Sequence, residues 1–263
     1  MGRVLVTGCS SGFGRATAVE LKKRGFEVVA TARRPETLED LDVDEHLSLD
    51  VTDDASVAAA VAAAGDIDAL VNNAGIGVSG PVELVPLPEI RRLFETNFFG
   101  VVRMIQAVVP QMRARGSGTI VNVSSVSGKV AAPLSGFYAA SKFALEAVSE
   151  ALHFEMSHFG IRTVIIEPGY FRTNMSESGV RYGVDSPPYD ELAEMTERMT
   201  EALGRSEAPG PEIVALAIAD AIESPAAVRV PVGTDAEMVL GARASMDDLT
   251  FETTMRQVLK VDW

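Results

Sequence analysis

Short apolar runs alternate along the chain with longer segments in which apolar residues recur with helical periodicity. Apolar runs of about four to eight residues are typical of strands buried on both faces of a parallel sheet. The predicted strands are 3–7, 27–32, 46–51, 68–71, 119–123, 162–167 and 227–231, and the predicted helices are 15–24, 52–64, 88–113, 136–158, 189–203, 211–223 and 235–243. This alternation predicts an α/β fold in a single domain over 1–263, a doubly wound parallel seven-stranded sheet with helices on both faces.

Residues 174–209 differ in composition from the rest of the chain, being rich in Met, Glu, Ser and Pro. They follow a predicted strand at the edge of the sheet where ligands bind, so we predict that they form a substrate lid. Met175, Met195 and Met199 either contact an irregular apolar ligand or only pack within the lid. The tail 245–263 has a mixed pattern that predicts no particular element.

A glycine-rich turn, with glycines at Gly8, Gly12 and Gly14, joins the first predicted strand to the first predicted helix. Glycines let a ligand approach the backbone closely, and a helix N-terminus presents N–H groups and the positive end of the helix dipole. The spacing G-x-x-x-G-x-G in this setting favours a pyrophosphate site over a plain turn between two elements.

Two adjacent arginines, Arg33 and Arg34, follow the second predicted strand. In dinucleotide sites this strand end commonly carries an acidic residue that binds the ribose hydroxyls of NAD, whereas arginine suits the 2′-phosphate of NADP. We therefore predict that NADP(H) is the preferred cofactor, with NAD(H) possible. The alternative is a solvated basic turn, which two adjacent arginines in so acidic a chain disfavour.

Tyr138 and Lys142 lie four residues apart in a predicted helix, so their side chains share one face. A cation beside a phenol favours the phenolate, and we expect it to lower the tyrosine pKa from about 10. Such a tyrosine can exchange a proton with an alcohol or a carbonyl. The same spacing also occurs where a tyrosine packs beside a snorkelling lysine. Asn97 stands in the middle of a predicted helix, where asparagine is unfavourable, which indicates a specific hydrogen bond.

The amino-acid composition of the chain disfavours several classes of binding partner and site. The formal net charge is −14, which disfavours nucleic acid and anionic membranes because both require a positive surface. Cys9 is the single cysteine, so no intrachain disulfide can form and nothing requires an oxidising compartment. The scattered histidines predict no metal site. No leader or membrane-spanning segment is expected from the pattern of the chain, so we expect a cytoplasmic protein.

The ordered motifs over about 3–235 resemble the single-domain branch of the short-chain dehydrogenase/reductase family. The resemblance implies a Rossmann fold, and its nearest likeness is to retinol dehydrogenases and 17β-hydroxysteroid dehydrogenases, which handle apolar alcohols and ketones. The positions that match the family's cofactor contacts are Gly8, Ser10, Ser11, Gly12, Phe13, Gly14, Arg33, Arg34, Asp50, Val51, Asn72, Ala74, Gly75, Tyr138, Lys142, Pro168, Gly169, Phe171 and Thr173.

Asn97, Ser125, Tyr138 and Lys142 match the family's catalytic tetrad. The resemblance implies that Tyr138 is the general acid in reduction and the base in oxidation, and that Ser125 binds the substrate oxygen. It implies that Lys142 holds the nicotinamide ribose and lowers the tyrosine pKa, and that Asn97 anchors a water that relays protons. Ser124 and Ser127 compete with Ser125, but the spacing of 13 residues before the tyrosine selects Ser125.

Two other classes of function are open to such a fold. A non-catalytic dinucleotide-sensing or scaffold protein is disfavoured because the tyrosine and the lysine are both present. An epimerase or dehydratase is disfavoured because those relatives carry a larger C-terminal region. The resemblance also implies a homodimer or homotetramer. The predicted helices 88–113 and 136–158 carry apolar residues on more than one face, a pattern that suggests burial against a partner. Those on the second of these helices are Ala139, Ala140, Phe143, Ala144, Ala147, Ala151 and Phe154.

Overall fold

A computed structural model describes residues 2–173, 179–185, 187–202, 208–224 and 227–259. The strands are β1 (Arg3–Val6), β2 (Glu27–Ala32), β3 (Glu45–Ser48), β4 (Ala69–Asn72), β5 (Val78–Ser79), β6 (Gly118–Val123), β7 (Ile161–Pro168), β8 (Val180–Arg181) and β9 (Arg229–Val232). The α-helices are α1 (Gly12–Lys23), α2 (Asp54–Ala64), α3 (Leu87–Phe94), α4 (Gly100–Arg115), α5 (Gly136–Ser157), α6 (Asp190–Ala202), α7 (Glu212–Glu223), α8 (Thr234–Ser245) and α9 (Asp248–Leu259).

Seven of the strands form one parallel sheet in the order β3-β2-β1-β4-β6-β7-β9. The predicted seven-stranded, doubly wound Rossmann architecture is confirmed. Strand order reverses between β1 and β4, and in open α/β sheets ligands bind outside the carboxyl ends of the strands at such a point. The glycine turn after β1 and the polar residues after β4 both lie at this point.

The core lies on both faces of this sheet. Along β1, Val4 and Val6 point to one face and Leu5 to the other, because side chains alternate along a strand. The first face packs against α1 and α7 through residues such as Leu21 and Ile218. The second face packs against helices that include α2, α4 and α5. Burial on both faces explains why the strands read as continuous apolar runs.

Local signals set several element ends. Asp53 caps α2 by accepting a hydrogen bond from the Ser56 N–H at 2.6 Å, the role that aspartate commonly fills at a helix N-terminus. Helix α4 ends at Gly116, whose φ of 74° is the left-handed conformation that glycine adopts readily.

The structure differs from the sequence prediction in three places. The helix predicted over 88–113 is interrupted by a π-helical segment, Glu95–Phe99, between α3 and α4. β5 and β8 form a separate two-stranded parallel sheet that no local pattern indicated. The tail, which had no predicted element, forms α9 over most of its length. The predicted lid 174–209 lies partly outside the described residues, since Met175 and the stretches 174–178 and 203–207 are not among them.

Candidate active site

The glycine turn after β1 is shaped by close backbone packing. Gly8 and Gly12 have positive φ values of 75° and 57°. A Cβ at Gly8 would lie 2.9 Å from the Ala74 Cα, and a Cβ at Gly14 would overlap Asn73 Nδ2 and the Gly8 oxygen. Side chains at these positions would push the turn away from the end of β4, so the glycines allow the two loops to form one cradle.

Thr7 and Asn73 fasten the two loops together. The Thr7 hydroxyl accepts hydrogen bonds from the Asn73 N–H at 2.9 Å and the Ala74 N–H at 3.0 Å. Asn73 Nδ2 donates to the Thr7 oxygen at 2.8 Å. The predicted contact residue Asn72 instead keeps its side chain inside the sheet, where Nδ2 donates to Asn122 Oδ1 at 2.9 Å. The structure therefore does not bring the Asn72 side chain to this edge, while Ala74 lies there and Asn73 carries a supporting role that the sequence did not reveal.

The N-terminus of α1 is open toward this cradle. Ser11 is its N-cap residue, yet no side chain of the described residues caps the helix, and its first turn has no acidic residue. Phe13 contacts Phe171 edge to face with ring centroids 5.7 Å apart. A Cβ at Gly12 would lie 3.6 Å from the Thr173 Cβ. The segment after β7 thus packs over the glycine turn and its uncapped N–H groups, an arrangement suited to an anion.

The arginines after β2 are exposed cations. Arg33 and Arg34 form no ion pair with any described residue, although Arg24 binds three carboxylates and Arg103 binds two. Asp50 lies nearby at the end of β3. Burial alone would raise the pKa of Asp50, but hydrogen bonds from Thr52 and the charge of Arg33 lower it. Arg33 and an ionised Asp50 therefore lie near one another beside the cradle.

Ser125, Tyr138 and Lys142 meet at the carboxyl ends of β6 and β7. The Tyr138 hydroxyl lies beside the Ser125 hydroxyl, close enough for the serine to lower the pKa of the tyrosine. Lys142, one turn further along α5, has its Nζ 5.9 Å from the centre of the Tyr138 ring. That Nζ donates to the Val123 oxygen at 2.8 Å. Ser125 and Lys142 are 17 positions apart in the sequence. Their side chains nevertheless lie together with that of Tyr138 at one place in the fold.

The pKa of Tyr138 is shifted in the direction opposite to the one expected from the sequence. Burial raises the pKa of Tyr138, and the hydrogen bond from Ser125 only partly offsets that rise. The expected lowering by Lys142 is absent in this structure, because burial is the larger effect and the ammonium points to the Val123 oxygen. Burial also lowers the pKa of Lys142 to about 8, although the negative charge of Glu146 opposes this change. The lysine is still mainly cationic at neutral pH.

The neighbouring serines are distinguished by their surroundings. Ser124 is buried and its hydroxyl has no hydrogen-bond partner among the described residues. Ser127 donates its backbone N–H to the Ser125 hydroxyl at 3.1 Å. This bond fixes the Ser125 side chain at the start of a 3₁₀ turn, Val126–Gly128. Ser125 is therefore the serine that the fold presents to Tyr138.

Asn97 lies in the π-helical segment, and both the oxygen and the nitrogen of its side-chain amide form hydrogen bonds. Its Oδ1 accepts from the Ile76 N–H at 2.9 Å, and its Nδ2 donates to the Ile76 oxygen at 3.0 Å and to the Ser141 hydroxyl at 3.3 Å. The specific hydrogen bond expected from a mid-helix asparagine is present. The water relay implied by the family resemblance stays a prediction.

The loop after β7 is held by Asp235, which the sequence did not single out. Its Oδ2 accepts from the Tyr170 N–H at 2.6 Å. A Cβ at Gly169 would overlap the same carboxylate, so only glycine fits there. Pro168 pairs with Val232 at the end of the sheet. Asp235 lies 65 residues after Tyr170 in the sequence, so no local sequence pattern could indicate this contact.

Tyr138 packs against an apolar cluster. One cluster joins Val78, Val85 and Leu93 to Tyr138 and to Tyr182 of the predicted lid. A second cluster is built on Leu134, Val184, Leu192, Ala193 and Met195. Met195 is thus a packing residue, and the side chain of Met199 lies outside the described residues.

Several other features carry no chemistry. The Cys9 thiol is buried, and burial raises its pKa to about 12, so it packs within the turn as an unreactive group. In the described part of the chain, no set of three His, Cys, Asp or Glu side chains is placed to hold a metal ion. Within the same residues, no helix is long and apolar enough to span a membrane.

Comparison with known proteins assigns the chain to a family. The family model described as "short chain dehydrogenase" matches residues 3–181. The chain belongs to the short-chain dehydrogenase family. It is therefore an oxidoreductase that acts on CH–OH groups, like the named dehydrogenases and reductases to which it is similar.

Two curated relatives show the range of similarity. The 3-ketodihydrosphingosine reductase of Bacteroides thetaiotaomicron is 43% identical over 179 residues, which span 66% of this chain and 66% of that protein. Human retinol dehydrogenase 8 is 44% identical over 180 residues, 63% of this chain and 58% of that protein. The matches thus cover less than two thirds of either relative's length.

Solved structures match more of the chain. A short-chain dehydrogenase from Streptomyces avermitilis is 37% identical, with a TM-score of 0.85, and covers 99% of this enzyme and 97% of its own chain. One from Burkholderia cenocepacia in complex with NADP is 28% identical, with a TM-score of 0.80 and 97% coverage of both chains. A 3-ketoacyl-(acyl-carrier-protein) reductase from Brucella melitensis complexed with NADH is 29% identical, with a TM-score of 0.75, and covers 89% of this enzyme and 98% of its own chain.

Proposed function

We propose that the enzyme is an NADP(H)-dependent oxidoreductase that interconverts a carbonyl and an alcohol on a small-to-medium apolar substrate, with Tyr138 as the general acid and base. The observation that carries the proposal is the placement of Ser125 beside Tyr138, where it lowers the pKa of the tyrosine, with the Lys142 Nζ 5.9 Å from the centre of the Tyr138 ring. An NAD(H)-dependent alcohol dehydrogenase of the same family is the alternative, which cofactor binding separates.

The residues around the glycine turn fit a nicotinamide dinucleotide. Gly8 and Gly14 let the two loops of the cradle approach closely, since a Cβ at either position would clash with the neighbouring loop or turn, and the uncapped N-terminus of α1 suits a pyrophosphate. Arg33 and Arg34 are exposed cations free of ion pairs with described residues, so one of them can meet a 2′-phosphate without giving up a partner. When bound, the cofactor donates or accepts the hydride.

The proton is handled by the chain itself. In reduction the Tyr138 hydroxyl gives its proton to the substrate oxygen, and in oxidation the tyrosinate takes it from the alcohol. The Ser125 hydroxyl donates a hydrogen bond to the same oxygen as negative charge develops there. The Lys142 ammonium stabilises the tyrosinate left behind, and its pKa of about 8 leaves it charged at neutral pH. Loss of that charge predicts falling activity as the pH rises through about 8.

The substrate side favours an apolar ligand. Tyr138 belongs to an apolar cluster that includes Val78, Val85 and Tyr182, and burial of apolar substrate surface there is favourable. The similarity to a 3-ketodihydrosphingosine reductase and to a retinol dehydrogenase supports the same class. Apolar ketones and aldehydes, and the matching alcohols, are therefore the first compounds to test.

The cofactor is tested by titrating NADPH and NADH into the purified full chain and following nicotinamide fluorescence. NADPH is expected to bind more tightly. Arg33→Ala removes one charged contact, and at about 1.4 kcal/mol for each tenfold it should weaken NADPH about tenfold while NADH changes little. Arg33→Lys is the matched control, since it keeps the charge and should retain part of the preference. Equal weakening of both cofactors would show that Arg33 does not bind the 2′-phosphate.

The proposal includes a homodimer or homotetramer in the cytoplasm. Support comes from Phe99, Phe143 and Phe154, which are exposed on the single chain. Exposed aromatic side chains of this size are typical of association surfaces. Light scattering on the purified chain measures the mass directly, and a monomer at micromolar concentration would contradict this part.

A further inference from the structure

Two buried carboxyl groups beside the candidate active site have no part in the reaction proposed above. Glu146 of α5 and Glu167 of β7 are only 3% and 2% exposed. The two carboxyl groups lie close enough for the charge of Glu146 to raise the pKa of Glu167. Burying two carboxyl groups side by side is unfavourable unless cations or a shared proton compensate them. Such a pair therefore requires an explanation from its surroundings.

Arg229 of β9 supplies the first compensation. Its Nε lies 3.0 Å from Glu146 Oε2 and 3.7 Å from Glu167 Oε1, and its Nη2 binds the exposed Glu150 at 2.6 Å. Lys129 adds a second cation, 3.9 Å from Glu146 Oε2. Glu146 is thus held as an ion pair.

A shared proton supplies the second compensation. Burial and the adjacent charge of Glu146 raise the pKa of Glu167 to about 7. One oxygen of each carboxyl group, Oε1, has no hydrogen-bond partner among the described residues. A proton on Glu167 that is donated to Glu146 satisfies both atoms, so the pair shares one proton as the pH falls below about 7.

The negative charge of Glu146 lies next to the reacting groups. Glu146 follows Lys142 by one helical turn and shares its face of α5. A Cβ at Gly128 would lie 2.8 Å from the Glu146 Cγ and 2.7 Å from the Ser124 hydroxyl. The loop that carries Ser125 therefore rests directly on Glu146, and glycine at 128 permits the close approach.

The groups that face Lys142 and Glu146 come from several elements. Lys142 faces Tyr138 and Glu146 of its own helix and the Val123 oxygen of β6. Glu146 faces Lys129 of the loop after β6, Glu167 of β7 and Arg229 of β9. Asp235, the acidic group at the start of α8, is occupied by the Tyr170 N–H.

We propose that Glu146 is a positioning residue for the reaction, whose carboxylate, fixed by Arg229 and Glu167 beneath the Ser125 loop, sustains the positive charge of Lys142. This inference rests on the proposed function, in which Tyr138 requires a neighbouring cation. A purely structural ion pair would hold the helix to the sheet but would leave the charge of Lys142 unchanged.

Glu150 offers a matched control. It lies one turn beyond Glu146 on α5 and binds the same Arg229, yet its side chain is 51% exposed. Glu150→Gln removes one carboxylate from the same arginine without changing the buried charge near Lys142. Glu146→Gln removes the carboxylate that lies one helical turn from Lys142 and keeps the shape of the side chain.

The direct test is a pH titration of lysine ¹³Cε resonances in the full chain without cofactor. The chain has only five lysines, and the loss of one signal in Lys142→Met assigns the resonance. The midpoint is expected near the pKa of about 8 in the wild type. It should fall by about one pH unit in Glu146→Gln, because an opposite charge a few ångströms away favours the ammonium by about that much or more. Glu150→Gln should leave it in place.

The pH profile of kcat/KM with NADPH and an apolar ketone provides the second readout. Its alkaline limb should move to lower pH in Glu146→Gln in parallel with the resonance, and Glu146→Asp should restore most of it. If Glu146→Gln does not fold, Glu146→Gln combined with Arg229→Gln removes the ion pair as a unit, which is better tolerated than removing one partner. That double variant also removes the positive charge of Arg229, so its midpoint should fall in the same direction but by a smaller amount.

The outcomes separate this inference from the proposed function. An unmoved Lys142 midpoint in the Glu146 variants, with normal carbonyl turnover in the wild type, overturns this inference alone. A wild type that turns over no carbonyl compound overturns the proposed function and, with it, the role of Glu146. Parallel shifts of the resonance and of the alkaline limb support both.

Discussion

Replacing Lys142 by methionine is predicted to stabilise the protein at neutral pH, although it removes an ammonium that the proposed reaction uses. Burial lowers the pKa of Lys142 from 10.5 to about 8 in the folded protein. At about 1.4 kcal/mol for each pH unit, folding with the charged amine costs about 3 kcal/mol. Methionine has similar length and no charge, but it loses the hydrogen bond to the Val123 oxygen, which is worth about 1 kcal/mol. The expected net gain at pH 7 is about 2 kcal/mol.

The effect has a definite dependence on pH. The folded pKa lies below that of the unfolded chain, so the unfolded chain binds more protons between about pH 8 and pH 10.5. Wild-type stability therefore gains from this lysine as the pH rises through that window. The variant lacks this gain, so its advantage is full below pH 8 and disappears toward pH 10.5.

Urea unfolding followed by circular dichroism, at about pH 7 and about pH 10, measures both parts of this prediction. Lys23→Met is the matched control, because its exposed side chain should change the free energy of unfolding by at most about 0.5 kcal/mol at either pH. A Lys142→Met variant that is less stable than the wild type at pH 7 would refute the reasoning. An advantage that does not change with pH would refute it as well.

Two further substitutions test the cradle and the loop after β7. Gly14→Ala should abolish cofactor binding and lower the melting temperature, because its Cβ would overlap Asn73 and the Gly8 oxygen. Gly241→Ala in α8 is the matched control, because its Cβ would meet nothing within 4 Å. That variant should raise the free energy of unfolding by about 0.5–1 kcal/mol. Equal effects of the two on melting would contradict the packing argument. Asp235→Ala frees the Tyr170 N–H of the loop after β7, so KM for the cofactor should rise several-fold in steady-state assays with little change in unfolding. An unchanged KM would show that Asp235 does not hold the loop for cofactor binding.

Much of the fold could be predicted because its determinants are local. The buried strands β1, β2 and β6 appear as continuous apolar runs, and the helices between them have a clear period. The spacing between Ser125 and Tyr138 pointed to the serine that the structure presents to the tyrosine. These features depend on residues that are near in sequence or on motifs of fixed spacing.

The features that were missed depend on contacts between distant residues. The β5–β8 sheet pairs Val78 with Val180, and both strands are too short to produce a pattern. Glu146 and Glu167 read as ordinary helix and strand residues, and their pairing is visible only once α5 packs on β7. The pKa of Tyr138 was predicted in the wrong direction because burial, which sequence spacing does not reveal, raises it, and because the Lys142 ammonium donates to the Val123 oxygen instead.

The central claim is that Tyr138 transfers the proton to and from the substrate oxygen. Its most direct test compares wild type and Tyr138→Phe in oxidation of NADPH by an apolar ketone, alongside NADPH binding by fluorescence. We predict that kcat of Tyr138→Phe falls by about 10²-fold or more, while its dissociation constant for NADPH stays nearly unchanged. Turnover by Tyr138→Phe within about tenfold of wild type, a barrier change of only about 1.4 kcal/mol, would contradict the claim.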